Sequence, residues 1–237
     1  MSNVNVVCDF DGTIALEDVT DGLLERFAEP RWRKIEAQWL AGEFGSQECM
    51  AKQVRLIEAT VEELDRYLDG VAIDPAFPAF VDQCCKRKEI ALEISSDGID
   101  YAVRRILGNH GFARLRVRAN ALSAVSRTRY ELEFPHAQPK CSAQAGNCKC
   151  AAAGRLAPTS SSASPTILIG DGASDFCVAS RVDFVFAKAR LLTYCRARGL
   201  KHMAFDSFLD VNRELAGVLE SLPLQDTVGH ECAEAST

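Results

Sequence analysis

Apolar runs along the chain predict strands of two kinds. Runs such as residues 4–8 have almost no polar alternation, which is typical of parallel strands buried on both faces. Residues 115–122 and 129–134 instead mix apolar and polar positions at a period near two, and together they predict a hairpin. The predicted strands are residues 4–8, 89–95, 115–122, 129–134, 166–169, 183–187 and 202–205.

Apolar residues with helical spacing fill the stretch between the first two strands. Val19, Leu23 and Phe27 begin the pattern, and turn signals divide residues 18–68 into about four short helices. Beyond this stretch, strands and helices alternate. The other predicted helices are residues 79–88, 99–107, one helix between the last two strands, and 207–222.

This alternation predicts an α/β fold with a doubly wound, Rossmann-like and mostly parallel sheet. The all-helical stretch interrupts the alternation and predicts a small inserted helical cap domain. We therefore expect a core of residues 1–14 and 82–224, a cap of residues 15–81, and a frayed tail of residues 225–237.

Composition and charge narrow the range of partners. The chain has 237 residues, 27 Lys and Arg, 33 Asp and Glu, and a net charge of -6, which argues against nucleic acid and anionic membranes. No run of apolar residues is long enough to span a membrane, and we expect no secretory signal. The 10 cysteines are scattered, which predicts reduced thiols and a cytoplasmic protein. We expect a small-molecule partner, and the oligomeric state is open.

Three predicted strands end in short polar turns that contain glycine and aspartate. Asp9 and Asp11 follow the first strand, Ser96 lies at the end of the second, and Asp171 and Asp175 follow the strand at residues 166–169. Because these ends of parallel strands share one edge of a sheet, the carboxylates should converge there. Close carboxylates repel one another unless a cation lies among them, and oxygen ligands suit Mg²⁺.

These motifs, together with the helical insert, resemble the haloacid dehalogenase superfamily of phosphotransferases, whose first motif is DxDGT. The resemblance covers nearly the whole chain and implies a phosphomonoester hydrolase that works through an aspartyl-phosphate. Asp9 would be the nucleophile, and Asp11 would be the general acid and later the base. Gly12 would allow the tight turn, while Thr13 and Ser96 would bind the phosphate, with the Thr13 hydroxyl also fixing the loop.

The same resemblance implies a set of magnesium ligands. Asp9, the backbone carbonyl of Asp11 and Asp171 match the family's ligands, and Asp175 matches a supporting acid that acts through hydrogen bonds or water. Without the family resemblance, the sequence predicts equally well that Asp175 caps a helix. The family also supplies a phosphate-binding lysine from a short helix before the third motif. Lys149 is the expected residue, and Lys140 is the alternative.

One branch of the superfamily is a closer match, the bacterial branch that dephosphorylates 2-hydroxy-3-keto-5-methylthiopentenyl-1-phosphate in methionine salvage. Stretches such as CDFDGTI, DFVFAKARLL and GLKHMAFDSFLDV carry this likeness. Phosphoserine phosphatases, the alternative branch, hold the amino acid with a Glu and an Arg from the cap. Asp18 and Gln53 occupy those places here, which favours the methionine-salvage branch.

Two alternatives lie outside this reading. The chain could be a catalytically idle phosphate-binding regulatory module, although binding alone does not require the second acid, Asp11. Cys141, Cys148 and Cys150, with His136 nearby, could bind zinc, but the Cys-x-Cys spacing is tighter than zinc sites usually use. The sequence favours a loop scaffold beside the active site for these cysteines.

Overall fold

Seven strands form a single sheet in the computed structural model, which describes residues 4–154 and 164–222. Their order across the sheet is β4-β3-β2-β1-β5-β6-β7, and every pair is parallel except the β3–β4 hairpin. The strands are β1 (Val4–Cys8), β2 (Ile90–Ile99), β3 (Arg116–Ala124), β4 (Tyr130–Glu133), β5 (Thr166–Gly170), β6 (Phe184–Ala187) and β7 (His202–Ala204).

Ten α-helices and one 3-10 turn, Ala173–Asp175, accompany the sheet in the described residues. The first four lie between β1 and the helix that leads into β2, as the helical spacing predicts. The helices are α1 (Val19–Phe27), α2 (Trp32–Leu40), α3 (Ser46–Val54), α4 (Val61–Leu68), α5 (Phe77–Lys86), α6 (Asp100–Asn109), α7 (Lys149–Ala152), α8 (Phe176–Ala179), α9 (Ala189–Arg198) and α10 (Phe208–Glu220).

Alternate side chains of the central strands enter two separate apolar clusters. Val6 and Cys8 of β1 belong to the cluster that includes α5, α6 and α10, whereas Val7 belongs to the cluster that includes α7, α8 and α9. Both faces of the sheet are therefore covered by helices, which is why these strands lack polar alternation. The predicted doubly wound α/β fold is confirmed.

Strand β2 is longer than predicted, and its pairing breaks near its end. Ser95 pairs with Arg118 of β3, and the next pairing is Ile99 with Asn120, so residues 96–98 stand opposite Ala119 alone. The predicted strand end at Ser95 was wrong because the chain returns to the ladder at Ile99. The interruption is a bulge, a feature that redirects side chains at functional edges.

The helical insert contacts the rest of the chain at several points. Tyr130 donates a hydrogen bond to the carbonyl of Ala59 at 2.9 Å, and Ser46 at the start of α3 reaches Asp97 at 2.6 Å. The predicted division into core and cap stays a prediction. Helix α5 spans the predicted second boundary, between residues 81 and 82, and its Phe77 and Phe80 rings pack against Phe208 of α10 in edge-to-face and tilted contacts. The predicted tail, residues 225–237, lies outside the described residues.

Candidate active site

Three parallel strands bring the predicted acidic motifs to one edge of the sheet. β1 lies between β2 and β5, so the residues that follow or end these strands are neighbours. The loop after β1 turns back on itself, since the amides of Thr13 and Ile14 both donate to the carbonyl of Phe10. Gly12 makes this turn with φ +64°, and a Cβ there would lie 2.6 Å from Asp171 Oδ2. Glycine is therefore required at this position.

The carboxylates of Asp9, Asp171 and Asp175 converge, with one oxygen of each lying within 4.8 Å of the others. Asp9 and Asp175 are buried, and Asp171 is half-buried. Burial, followed by the charge of Asp9, raises the pKa of Asp171 to about 6 and the pKa of Asp175 to about 8. Removal from water is the larger cause and the charge of Asp9 adds to it, so a cation beside these carboxylates would favour their ionised forms.

Lys149, on the one-turn helix α7, is the nearest cation to these carboxylates. Its Nζ lies 2.7 Å from Asp9 Oδ2, 2.7 Å from Asp175 Oδ1 and 3.0 Å from Ser174 Oγ. Burial alone would lower the pKa of this buried lysine, but the charges of Asp175 and Asp9 outweigh burial and raise it. Lys149 is therefore a fixed positive charge. The alternative, Lys140, is exposed.

The residues at this edge fit a hard divalent cation. The cluster offers only carboxylate oxygens, which Mg²⁺ prefers, and Lys149 pairs directly with two of its three acids, Asp9 and Asp175. The third carboxylate of the cluster belongs to Asp175, for which the family resemblance implied a supporting role rather than direct metal ligation. Its Oδ2 also accepts from the amides of Asp171 and Gly172, at 3.2 Å and 3.3 Å. Metal ligation by Asp9, by Asp171 and by the carbonyl of Asp11 stays a prediction.

The carboxyl group of Asp11 is not one of the three in the cluster and has hydrogen-bond partners of its own. Its Oδ1 accepts from the amide of Val19 at 2.9 Å, and its Oδ2 accepts from Ser96 Oγ at 3.0 Å. Burial, with smaller contributions from the charges of Asp18 and Asp9, raises the pKa of Asp11 to about 8. This acid therefore retains a proton near neutral pH that an ordinary aspartate would lose.

Ser96 lies in the bulge of β2, where the strand leaves its ladder. Besides donating to Asp11, its hydroxyl accepts from the amide of Gly98 at 2.8 Å. Thr13 donates to Asp171 Oδ1 at 3.3 Å, so this hydroxyl links the loop after β1 to the loop after β5. The structure thus brings the predicted phosphate-binding hydroxyls and Lys149 to the same edge.

Two functional neighbours were missed at the sequence level. Asp97 is half-buried and accepts from Ser46 Oγ at 2.6 Å and from the amide of Asn147 at 2.9 Å. Lys188, which follows β6, donates to the carbonyl of Thr13 at 3.5 Å, and its charge lowers the pKa of Asp171. The rule that strand ends meet at one edge, applied to β6, would have indicated Lys188.

Asp18 and Gln53, at the positions where phosphoserine phosphatases hold the amino acid, form hydrogen bonds with nearby residues of the helical insert. Asp18 caps α1 by accepting from the amide of Asp21 at 2.9 Å. Gln53 is 2% exposed and donates to Glu36 Oε2 at 2.8 Å. Neither side chain supplies a positive charge.

The cysteine-rich segment does not form a zinc site in the described part of the chain. Cys141, Cys148 and Cys150 are buried, yet the described residues contain no group of three metal-ligating side chains other than the carboxylate cluster. The zinc alternative is therefore unsupported. No helix among the described residues has the length and apolar character that a membrane span requires.

Comparison with known proteins identifies the family of this chain. Residues 6–180 match the haloacid dehalogenase-like hydrolase family. A protein of Exiguobacterium sp. named 2-hydroxy-3-keto-5-methylthiopentenyl-1-phosphate phosphatase is 30% identical over 222 residues, which cover 91% of this chain and 99% of that protein. A protein of the same name from Geobacillus thermodenitrificans is 32% identical over 207 residues, covering 86% and 91%.

Solved structures resemble the fold. A phosphoserine phosphatase structure, described as a phospho-aspartyl intermediate analogue, superimposes with a TM-score of 0.63 at 17% identity. The superposition covers 92% of this chain and 99% of the other. This likeness confirms the α/β architecture, and at such identity it supports the fold alone.

Proposed function

The chain belongs to the haloacid dehalogenase-like hydrolase family and is a phosphatase, and we propose that it works with Mg²⁺ through a phosphoryl group carried on Asp9. One observation supports this most directly. Asp9 lies among two further carboxylates and 2.7 Å from a buried lysine. A carboxylate can attack an anionic phosphate only where positive charge offsets the repulsion, and this edge concentrates the groups that would supply it.

In the first step, an oxygen of Asp9 attacks phosphorus as the bond from phosphorus to the leaving oxygen breaks. Asp11 would donate its proton to that leaving oxygen, and its raised pKa keeps the proton available near neutral pH. Lys149 and Ser96 would hold the oxygens of the transferring group, since both side chains present donors at this edge. The product alcohol or enol then departs with the proton.

In the second step, Asp11 would take a proton from water while the water oxygen attacks phosphorus. The bond between phosphorus and Asp9 breaks, inorganic phosphate leaves, and both aspartates return to their starting states. Asp9, Asp171 and the carbonyl of Asp11 would hold Mg²⁺, with Asp175 supporting them through its amide contacts. When bound, the ion neutralises charge on the phosphate oxygens.

We assign the substrate to a small ketose-type phosphate, 2-hydroxy-3-keto-5-methylthiopentenyl-1-phosphate of methionine salvage. The names of the relatives that match most of this chain support this assignment. Phosphoserine is a poorer candidate because Gln53 is buried against Glu36 and offers no cation for the carboxylate of the amino acid. Such a carboxylate would need a positive partner in the pocket.

Substitution of the nucleophile tests the mechanism. Asp9→Asn should abolish release of phosphate from an aryl phosphate in the presence of Mg²⁺, because the amide cannot carry the phosphoryl group. Asp82→Asn, which alters an exposed carboxylate on α5, should retain full activity. Circular dichroism checks that both variants fold. Full turnover by Asp9→Asn would refute the nucleophile, and a wild-type chain that hydrolyses no phosphate ester would favour the idle binding module.

Parallel rate measurements test the substrate. We expect kcat/KM for the ketose-type enol phosphate to exceed that for phosphoserine by at least about a hundredfold, the difference that about 2.7 kcal/mol of lost pairing produces. Comparable or higher values for phosphoserine would overturn this assignment in favour of the phosphoserine branch.

A further inference from the structure

Two thiols lie in contact immediately beside the candidate active site. Cys150 Sγ on α7 is 3.2 Å from Cys177 Sγ on α8. Both are free cysteines, with Cys150 2% exposed and Cys177 half-buried. Cys177 Sγ also lies 3.2 Å from the hydroxyl Oγ of Ser142, an exposed residue. The pair therefore combines one buried thiol with one that small molecules can reach.

Each thiol is close in sequence to a residue of the charge cluster. Cys150 follows Lys149 directly, and Cys177 lies two residues after Asp175. Lys149 and Asp175 are themselves joined at 2.7 Å. The cysteine contact joins α7 to α8, and the Lys149–Asp175 ion pair joins α7 to the 3-10 turn directly before α8. We therefore expect a change at one link to be transmitted to the other.

We propose that Cys150 and Cys177 form a reversible disulfide that lowers the phosphatase activity, an inference whose activity readout rests on the proposed function. The oxidant is a small-molecule disulfide such as glutathione disulfide. The Cys177 thiolate attacks one of its sulfurs and releases one glutathione thiolate, which leaves a mixed disulfide on Cys177. Cys150 then attacks Cys177 Sγ and releases the second glutathione. Each protein thiol proton ends on a released glutathione, so two thiols and one disulfide give one protein disulfide and two thiols.

Bond formation requires movement at the site. A disulfide has an S–S distance of about 2.05 Å, so the two sulfurs must approach by about 1.1 Å from their separation of 3.2 Å. The two cysteines lie on α7 and α8, each a single turn, and we expect these short helices to take up part of the movement. Because Lys149 must hold its place beside Asp9, a displacement of this size should lower the rate by about tenfold or more.

The experiment treats the full chain with glutathione disulfide and follows mass and activity together. We expect a loss of two hydrogen atoms, a Cys150–Cys177 cross-linked peptide on non-reducing digestion, and a fall in aryl phosphate hydrolysis of about tenfold or more that dithiothreitol reverses. Cys177→Ser should keep its activity throughout. Cys85→Ser, which removes an exposed thiol on α5, should be inactivated like the wild type.

Several results would overturn this assignment. They are a digest without the Cys150–Cys177 peptide, a cross-linked protein with undiminished activity, and a Cys177→Ser variant that loses activity as fast as the wild type. A reduced protein that hydrolyses nothing would instead refute the proposed function, while the cross-link would still be decided by mass alone.

Discussion

A single methyl group added at Gly98 should disable catalysis while leaving the fold intact. A Cβ at this position would lie 2.6 Å from Asp11 Oδ2 and 3.0 Å from Ser96 Oγ, whereas ordinary contact begins at 3.4 Å. The overlap with Asp11 is thus 3.4 minus 2.6, or 0.8 Å. The other oxygen of that carboxyl is held by the amide of Val19, so the clash moves Oδ2 away from Ser96.

A displacement approaching 1 Å at an acid that must meet the leaving oxygen costs about a hundredfold in rate. We therefore expect Gly98→Ala to lower kcat for an aryl phosphate by about a hundredfold with little change in KM. The control is Gly217→Ala in α10, where a Cβ meets nothing within 4 Å. That variant should keep full activity and gain up to about 1 kcal/mol in unfolding free energy.

The result for Gly98→Ala is informative in both directions. A kcat within about threefold of the wild type would show that catalysis tolerates displacement of the Asp11 carboxyl. That result would refute the proposal that Asp11 acts as a general acid held in place by Ser96 and Val19. A variant that fails to melt cooperatively would not test the argument. Thermal melts of both glycine variants therefore precede the kinetics.

Two further predictions concern the charge cluster. Lys149→Met should lower the unfolding free energy by about 3–5 kcal/mol in urea titrations, because it leaves buried carboxylates unpaired. Lys140→Met, at an exposed position, should change the unfolding free energy by less than about 0.5 kcal/mol. Equal effects of the two substitutions would contradict the pairing of Lys149 with these carboxylates. In the metal-free protein, the melting temperature should fall from about pH 4 to about pH 8. The raised pKa values of Asp171 and Asp175, about 6 and about 8, mean that the folded chain keeps protons that the unfolded chain has lost. Added Mg²⁺ should reduce this fall in thermal melts, most strongly at the higher pH, and a metal-free melting temperature that rises across the range would refute the argument.

The strand-end rule explains how much of the site the sequence could predict. Asp9 and Asp171 directly follow strands that are adjacent in the sheet, so the strand pattern was enough to predict that they meet. The choice of Lys149 over Lys140 depended on a family resemblance. Helix α7 is only four residues long, too short for apolar periodicity to distinguish the two lysines.

The surroundings of Asp175 and Asp97 could not be predicted from the local sequence pattern. Asp175 joins the cluster because a single 3-10 turn folds its carboxylate back onto the amides of Asp171 and Gly172, and a sequence motif does not specify that turn. Asp97 looks like a polar turn residue in the sequence. In the structure its carboxylate accepts a hydrogen bond from Ser46 of the helical insert, 51 residues away in sequence. Contacts of such separation depend on tertiary packing rather than local propensity.

The charge balance of the site has the same tertiary origin. Three carboxylates meet here, and the cations that act on them come from two other segments: Lys149 from α7 and Lys188 from the loop after β6. Lys188 pairs with none of these acids directly but lowers the pKa of Asp171 from a distance. The pKa of Asp171 stays raised even so, first because burial removes the group from water and second because of the charge of Asp9. Three carboxylates converge beside two lysines, and an anionic substrate would add further negative charge, so a divalent cation is the group that would offset both.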